Sequence, residues 1–316
     1  MLEFAVVEVT DQCNLKCKHC YDVFTGSHSI SRQEEDLIIK NLQSVFCKRV
    51  TLSGGEPLIV GKNLFTFAQR LKEKDMKVVV VTNGTLVNSF AADLFDVFEY
   101  VQISLDGPKS IHETIRGKGT FDRAIDACKY LRQAGIDVSF QMTINKINQY
   151  YFDEVVDIAN SVGALVSVER ISHTGRAHEF DNIDYNNYKN ILHTVIEKKM
   201  QTSDPMVNAL ICSKYNIVLD KHSIRGCTAG RGGIGISANL DVFPCVRMRH
   251  PLGNLRSESM GDILKHPIYS QLGDRYALQG KCGLCKYKFV CGGCRAAAWL
   301  TTGHYTATDC ACLVNS

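Results

Sequence analysis

The chain has no apolar run approaching the roughly 18 residues that a membrane span requires. Its first residues, Met1 to Val9, contain Glu3 and Glu8 and no basic stretch of the kind that opens a signal peptide. Neither insertion nor export is expected, and a cytoplasmic protein is the default. No long block of one charge is present either: 36 Lys and Arg against 33 Asp and Glu leave a formal net charge of +3. With the two signs mixed along the chain, nucleic acid is disfavoured as a partner. There is no low-complexity tract and no repeat beyond a strand–helix alternation. What is present is 316 residues, 45% hydrophobic and 22% charged, enough to bury a full core in one large domain or two unequal ones.

Cysteine is in excess. Fourteen cysteines in a chain without an export signal call for an explanation other than disulfides, and thiolates bound to metal provide it. Cys13, Cys17 and Cys20 sit at the start, eight lie between Cys227 and Cys312, and Cys47, Cys128 and Cys212 stand alone. Cys47 and Cys128 fall on apolar helical faces, where a small buried thiol is the expected role.

From residue 5 to about 200, short β-branched runs alternate with segments of helical period, the pattern of parallel strands joined by helices. Six strands are predicted, over Ala5 to Thr10, Arg49 to Ser53, Val78 to Thr82, Val101 to Leu105, Val138 to Thr143 and Leu165 to Ile171. Ser31-Arg-Gln-Glu34 reads as a capping box, and Ile125, Cys128 and Leu131 share a helical face ending at Gly135. The expected fold class is α/β, a partial (β/α)6 barrel of the TIM type over residues 1–204, followed by a loop-rich, cysteine-rich domain over 205–316. In such an arc the residues just past each strand gather at one mouth. Those residues are the first cysteine group, Ser53-Gly-Gly-Glu-Pro57, Thr82-Asn-Gly84 and Ser104-Leu-Asp-Gly107. Gln141, Thr143 and Asn145 share one face beyond the fifth strand, and Glu169 or Arg170 leaves the sixth. His173, Arg176 and His178 read as solvated loop side chains, with contact to an anionic substrate as the other reading.

Cys13, Cys17 and Cys20 are spaced so that one loop can wrap three thiolates around a cubane iron–sulfur cluster and leave its fourth iron open. A structural zinc loop is the plainer alternative, although zinc usually takes four ligands. Cys13-Asn-Leu-Lys-Cys17-Lys-His-Cys20-Tyr resembles the signature of the radical S-adenosylmethionine (radical SAM) superfamily. The resemblance implies that the open iron chelates the methionine moiety of S-adenosylmethionine. It also implies that Gly54, Gly55 and Glu56 hold the methionyl ammonium, that Ser104 and Asp106 reach the ribose hydroxyls, and that Thr82 and Asn83 form a further strand end facing the cofactor.

The C-terminal cysteines resemble a SPASM extension, which in related enzymes carries auxiliary 4Fe-4S clusters. Carried over by position, Cys282, Cys285, Cys291 and Cys312 would hold one cluster, and Cys227, Cys245 and Cys294 would supply three ligands of another. Cys310, Cys212 or a non-protein ligand are candidates for the remaining ligand, and Cys310 is an alternative to Cys312. This chain departs from the family's commoner pattern in having only Gly292 and Gly293 between Cys291 and Cys294, and Leu240 where a glycine is usual.

The implied activity is that of an oxidoreductase or maturase: reductive cleavage of S-adenosylmethionine to a 5′-deoxyadenosyl radical and hydrogen-atom abstraction from a substrate. Peptide or protein maturation is the favoured reading, by crosslinking, decarboxylation or a similar oxidation. The first strand begins near residue 5, which leaves no room before it for a winged leader-binding domain and weighs against this reading; a separate leader-binding partner could do that job, or the substrate could be a porphyrin-like small molecule. Tetrapyrrole side-chain modification in heme-type cofactor biosynthesis is the alternative, and a non-catalytic, zinc-stabilised binding module is the second. The implied electron donor is of the flavodoxin or ferredoxin type. Excess basic residues at the mouth would favour the tetrapyrrole, and a long open groove the peptide.

Overall fold

The computed structural model describes residues 2–22, 26–180, 183–198, 200–202, 204–215, 226–312 and 314. Six parallel strands form its centre: β1 (Phe4–Glu8), β2 (Arg49–Ser53), β3 (Lys77–Thr82), β4 (Val101–Ser104), β5 (Val138–Ile144) and β6 (Leu165–Arg170), paired in sequence order. Each lies within two residues of its predicted span. Helices α1 (Arg32–Ser44), α2 (Asn63–Lys72), α3 (Lys109–Arg116), α4 (Thr120–Gln133) and α5 (Phe152–Ser161) supply the crossovers. The predicted capping box is made in both directions: Ser31 Oγ accepts from the Glu34 amide, and Glu34 Oε2 accepts from the Ser31 amide at 2.7 Å. On α4, Cys128 and Leu131 are fully buried.

Between β3 and β4 the crossover is not an α-helix but a 3-10 turn, Ala92–Val97. Phe90, Phe95 and Phe98 from this connection pack around Phe65 of α2, with ring centroids 5.1 to 5.9 Å apart. Aromatic packing does there what a helical apolar stripe does elsewhere. Every residue of β4 is buried, because this strand is covered on both faces.

The sheet does not stop at six strands. A two-residue β7 (Gln201–Thr202) pairs parallel with β6, and β8 (Gly233–Ile236) pairs parallel with β1 at the opposite edge. Two antiparallel strands, β9 (Asp241–Phe243) and β10 (Gly253–Asn254), extend it further, giving the order β10-β9-β8-β1-β2-β3-β4-β5-β6-β7. The C-terminal region is thus hydrogen-bonded to the edge of the arc, which removes an exposed parallel edge at β1. In the β8–β9 turn, Leu240 stands at φ +65 and is fully buried. The position where relatives use glycine keeps the left-handed backbone, and the leucine offsets its strain of roughly 1–2 kcal/mol with an apolar burial worth about as much.

Among the described residues, no helix is long and apolar enough to cross a membrane.

Candidate active site

Strand ends β1 and β2 build the site together. Beyond β1 the chain runs Thr10, Asp11, Gln12 and into the cysteine loop, and the Gly54-Gly55-Glu56 turn lies directly against it. The Gly55 amide donates to the Thr10 carbonyl and the Glu56 amide to the Gln12 carbonyl, each at 2.8 Å. A Cβ on Gly54, whose φ is +135, would stand 2.3 Å from the Thr10 oxygen, and one on Gly55 would stand 2.0 Å from the Gln12 oxygen. Both positions need glycine because two backbones touch there. The role of this pair in the structure is to seat the cysteine loop.

Glu56 is buried and accepts three hydrogen bonds from the protein. Oε1 accepts from the Leu58 amide at 3.1 Å and the Thr82 hydroxyl at 2.7 Å, and Oε2 from the Asn83 amide at 2.7 Å. Burial raises its pKa and these three donors oppose that rise. Asn83 in turn donates to Asn14 Oδ1 at 2.9 Å, inside the cysteine loop. Thr82, Asn83 and Glu56 therefore tie the ends of β2 and β3 to that loop.

Asp106 is the second hub. It is fully buried; Oδ2 meets His19 Nε2 at 2.7 Å and the Nε of Arg116, and Oδ1 accepts from the Thr143 amide at 3.0 Å. Arg116 Nη1 points on to Cys17 Sγ at 3.9 Å. Burial by itself would raise the Asp106 pKa, but Arg116 and His19 override it and hold the carboxyl far below the usual range. Ser104, at the end of β4, is buried beside this hub. His19 and Arg116 carry no sequence pattern of their own; His19 is a signal only through its place between Cys17 and Cys20.

Below the hub, His112 Nδ1 accepts from the Asp106 amide at 3.1 Å, while its Nε2 is buried with no partner. Burial, reinforced by the nearby Arg116, lowers its pKa to about 4. The imidazole is neutral in the folded chain and protonates readily once unfolded at its ordinary value near 6.5. Its contribution is therefore complete above pH 6.5 and is lost as pH falls from there to about 4, a total of about 3 kcal/mol. Denaturant titrations across this window should show the loss in the wild type and a flatter profile for His112→Asn; parallel profiles would remove His112 as the cause.

The three N-terminal thiols lie within electrostatic reach of one another, and burial pushes Cys13 up to about 11. The C-terminal thiols fall into two groups by the same criterion. Cys227 neighbours Cys245 and Cys294, while Cys282 neighbours Cys291 and Cys312, and Cys312 also neighbours Cys285. Cys310 is exposed and hydrogen-bonded to Tyr185, and Cys212 is buried in the helix Met206–Tyr215. Among the described residues, no three His, Cys, Asp or Glu side chains converge tightly enough to hold a single ion.

Buried charges serve the C-terminal groups as well. Asp309 accepts from the Cys294 amide at 2.7 Å and binds Arg170 of β6 through both oxygens, at 3.3 and 3.1 Å, while Arg170 also pairs with Asp204. Arg295, with no exposed surface, donates to Cys282 Sγ at 3.5 Å and to the carbonyls of Tyr305 and Ala307. Gly292 and Gly293 both take positive φ, and a Cβ on Gly293 would press on Arg295 and on Cys282 Sγ. The shortened Cys291–Cys294 spacing is thus a turn that only glycines make.

At the mouth, the segment Cys245 to His250 sends Arg247 to Glu169 of β6, and Arg249 to Glu8 of β1 and to Asp22. Arg176, expected in solvent, instead donates to the Cys17 carbonyl at 2.9 Å. Gln141 and Thr143 are half-buried, whereas Asn145 turns into the chain and accepts from the Ile147 amide at 2.9 Å.

With this geometry in place, comparison with known proteins is decisive for the family. The profile of the Radical SAM superfamily matches residues 7–161, and that of the SPASM iron–sulfur cluster-binding domain matches residues 227–287. This chain belongs to the radical SAM superfamily. Its curated relatives include the AdoMet-dependent heme synthase of Methanosarcina barkeri, 29% identical over 97% of this chain and 95% of the relative. Another is the mycofactocin maturase MftC of Mycolicibacterium smegmatis, 28% identical over 93% of this chain and 78% of the relative. Among solved structures, Streptococcus suis SuiB bound to its precursor peptide SuiA superposes with a TM-score of 0.80 at 18% identity, over 99% of this chain and 76% of SuiB. This radical SAM/SPASM enzyme uses S-adenosylmethionine and iron–sulfur clusters. When bound, they supply one-electron cleavage of the cofactor to a 5′-deoxyadenosyl radical. The chain's own residues seat the cysteine loop, set a buried cation beside Cys17, and enclose the mouth.

Proposed function

We propose that this enzyme oxidises a carboxylate-bearing side chain of a tetrapyrrole by hydrogen-atom abstraction. In this reading Cys13, Cys17 and Cys20 hold the cluster that binds S-adenosylmethionine, and the strand ends at Gly54–Glu56, Thr82–Asn83 and Ser104–Asp106 enclose the cofactor. Cys282, Cys285, Cys291 and Cys312 hold one auxiliary cluster, and Cys227, Cys245 and Cys294 hold the other.

The observation that carries the substrate class is the pair of guanidinium groups at the mouth. Arg116 and Arg170 are locked to carboxylates that are themselves fully buried. Arg247 differs, because its partner Glu169 is 24% exposed and so holds it less firmly. Arg249 is held by the buried Glu8 through both terminal nitrogens, and only its second partner, Asp22, is 32% exposed. Arg249 Nε, moreover, is buried with no hydrogen-bond partner among the described residues. Arg247 can exchange Glu169, and Arg249 can exchange Asp22 while Glu8 keeps it in place, so the two can present guanidinium groups to the carboxylates of a polycarboxylate ligand. Near-complete coverage of a heme synthase supports the same class.

The peptide reading stays as a second one, supported by the similarity to a mycofactocin maturase. The test is anaerobic titration of the cluster-loaded protein with an iron porphyrin carrying four propionates, followed at the Soret band. Wild type should bind it and release 5′-deoxyadenosine on reduction. Arg247→Gln and Arg249→Gln should each weaken binding by about 10- to 100-fold, the equivalent of one charged hydrogen bond. Absence of porphyrin binding, with 5′-deoxyadenosine formed only when a peptide is added, would transfer the enzyme to the peptide class.

A further inference from the structure

Tyr276, Leu284 and Phe289 are 80%, 92% and 38% exposed, and they account for three of the six large apolar side chains that stand exposed among the described residues. All three fall within one stretch of chain, and Lys288, whose Nζ reaches the Gly283 carbonyl next to Leu284, links them. The rings of Tyr276 and Phe289 meet edge to face at 5.1 Å. Lys288 Nζ sits 5.5 and 5.3 Å from these two ring centres, and Lys286 Nζ lies 5.0 Å from that of Tyr287. Lys281, in the same stretch of chain, is exposed, and none of the three lysines is ion-paired with a carboxylate among the described residues. Asp274 is the one exposed acid within residues 274–290.

The patch lies over the thiols. The Tyr287 amide donates to Cys285 Sγ at 3.4 Å, the Cys291 amide to the Tyr287 carbonyl at 2.9 Å, and Lys288 Nζ to the Gly283 carbonyl at 3.2 Å. Cys285 is itself only half-buried. Contiguous exposed apolar groups with cations fixed on them mark an interaction surface, and uncompensated positive charge selects an acidic partner. Electron transfer weakens steeply with distance, so a carrier docks where a redox centre comes nearest the surface. Such encounters are small and brief and are steered by charge.

We propose that the face formed by Tyr276, Lys281, Leu284, Lys286, Lys288 and Phe289 docks an acidic one-electron carrier protein. In each encounter one electron leaves the reduced carrier and enters the chain beside Cys285. The carrier is oxidised, the chain is reduced, and no bond is made or broken. The proposal rests on the iron–sulfur reading of Cys282, Cys285, Cys291 and Cys312 and is independent of the substrate class.

The test uses cluster-loaded full-length protein with two acidic probes, a [2Fe–2S] ferredoxin and a flavodoxin. Binding is measured by calorimetry, and electron entry by stopped-flow oxidation of the pre-reduced probe. Wild type should bind at least one probe, more weakly as salt rises from low to high. The triple charge reversal Lys281→Glu, Lys286→Glu, Lys288→Glu should lose at least tenfold in affinity and in oxidation rate. Reversal of the distant exposed Lys40, Lys72 and Lys74 should change neither. Iron content and direct reduction by dithionite should be equal in all three proteins, which separates a docking defect from loss of the cluster. If the triple variant loads poorly, the pair Tyr276→Ser and Leu284→Ser serves in its place. Absence of binding to both probes, or affinity unmoved by the reversal, would overturn the proposal. So would a patch-dependent dimer in sedimentation, or patch-dependent retention on anionic vesicles, which would assign the face to a second copy or to a lipid surface.

Discussion

Replacing Cys13, Cys17 and Cys20 together by alanine is expected to abolish 5′-deoxyadenosine formation and to lower iron by about four per chain, with the rest retained. The physical reason is the separation of the thiols. The N-terminal three interact with one another, whereas Cys245 and Cys294 interact with Cys227, and Cys291 and Cys312 with Cys282. The loop that carries them should survive, because its seat is made of backbone: the Gly55 and Glu56 amides hold the Thr10 and Gln12 carbonyls whatever the nearby side chains are. Circular dichroism should therefore be unchanged. Anaerobic reconstitution with iron and sulfide counting, followed by cofactor cleavage after dithionite reduction, is the measurement. Full activity in the variant would refute the assignment of these thiols, and loss of all iron would refute their independence from the C-terminal groups.

Asp106→Asn should produce the largest loss of stability. The replacement keeps the shape but leaves the Arg116 guanidinium buried without its counter-charge, a situation that costs about 3–5 kcal/mol. For a chain of this size the melting temperature should fall by on the order of 10 °C. The pH dependence follows from the carboxyl being held far below its usual range by Arg116 and His19, against the effect of burial. Its contribution is present above the unfolded value near 4 and is lost only as pH falls below it, so the gap between variant and wild type should be flat from pH 5 to 8. Removing both partners, as Asp106→Leu with Arg116→Met, should recover part of the loss, since no unpaired charge remains. The same hub steadies Cys17 through Arg116 and the loop through His19, so iron loading should fall in the single variant. A single variant as stable as wild type, or a double variant less stable than the single, would refute the hub.

Legibility in the sequence follows the range of the interaction. The capping box of Ser31 and Glu34 joins residues three apart, and strand and helix periods are equally local, so both appear in the structure where the pattern puts them. The β8 strand was not legible. Gly233-Ile-Gly-Ile236 reads as glycine-rich loop, and it is a strand because its backbone pairs with β1, more than two hundred residues away. The hydrogen bonds of Glu56 were not legible, since their donors include Thr82 and Asn83 at the end of the next strand.

The sequence by itself determined the radical SAM chemistry, because a ligand loop is a local spacing of thiols and the strand-end motifs are short runs. It also determined the α/β arc, because hydrophobic period specifies which faces are buried. Only the tertiary structure decided which charges are spent inside the protein. Asp106 goes to Arg116, Arg170 to Asp309 and Arg249 to Glu8, while Glu169 and Asp22, the partially exposed partners of Arg247 and Arg249, stay at the mouth. An ionisable side chain is defined by its partners and its burial, and both arise from segments that meet only once the chain has folded.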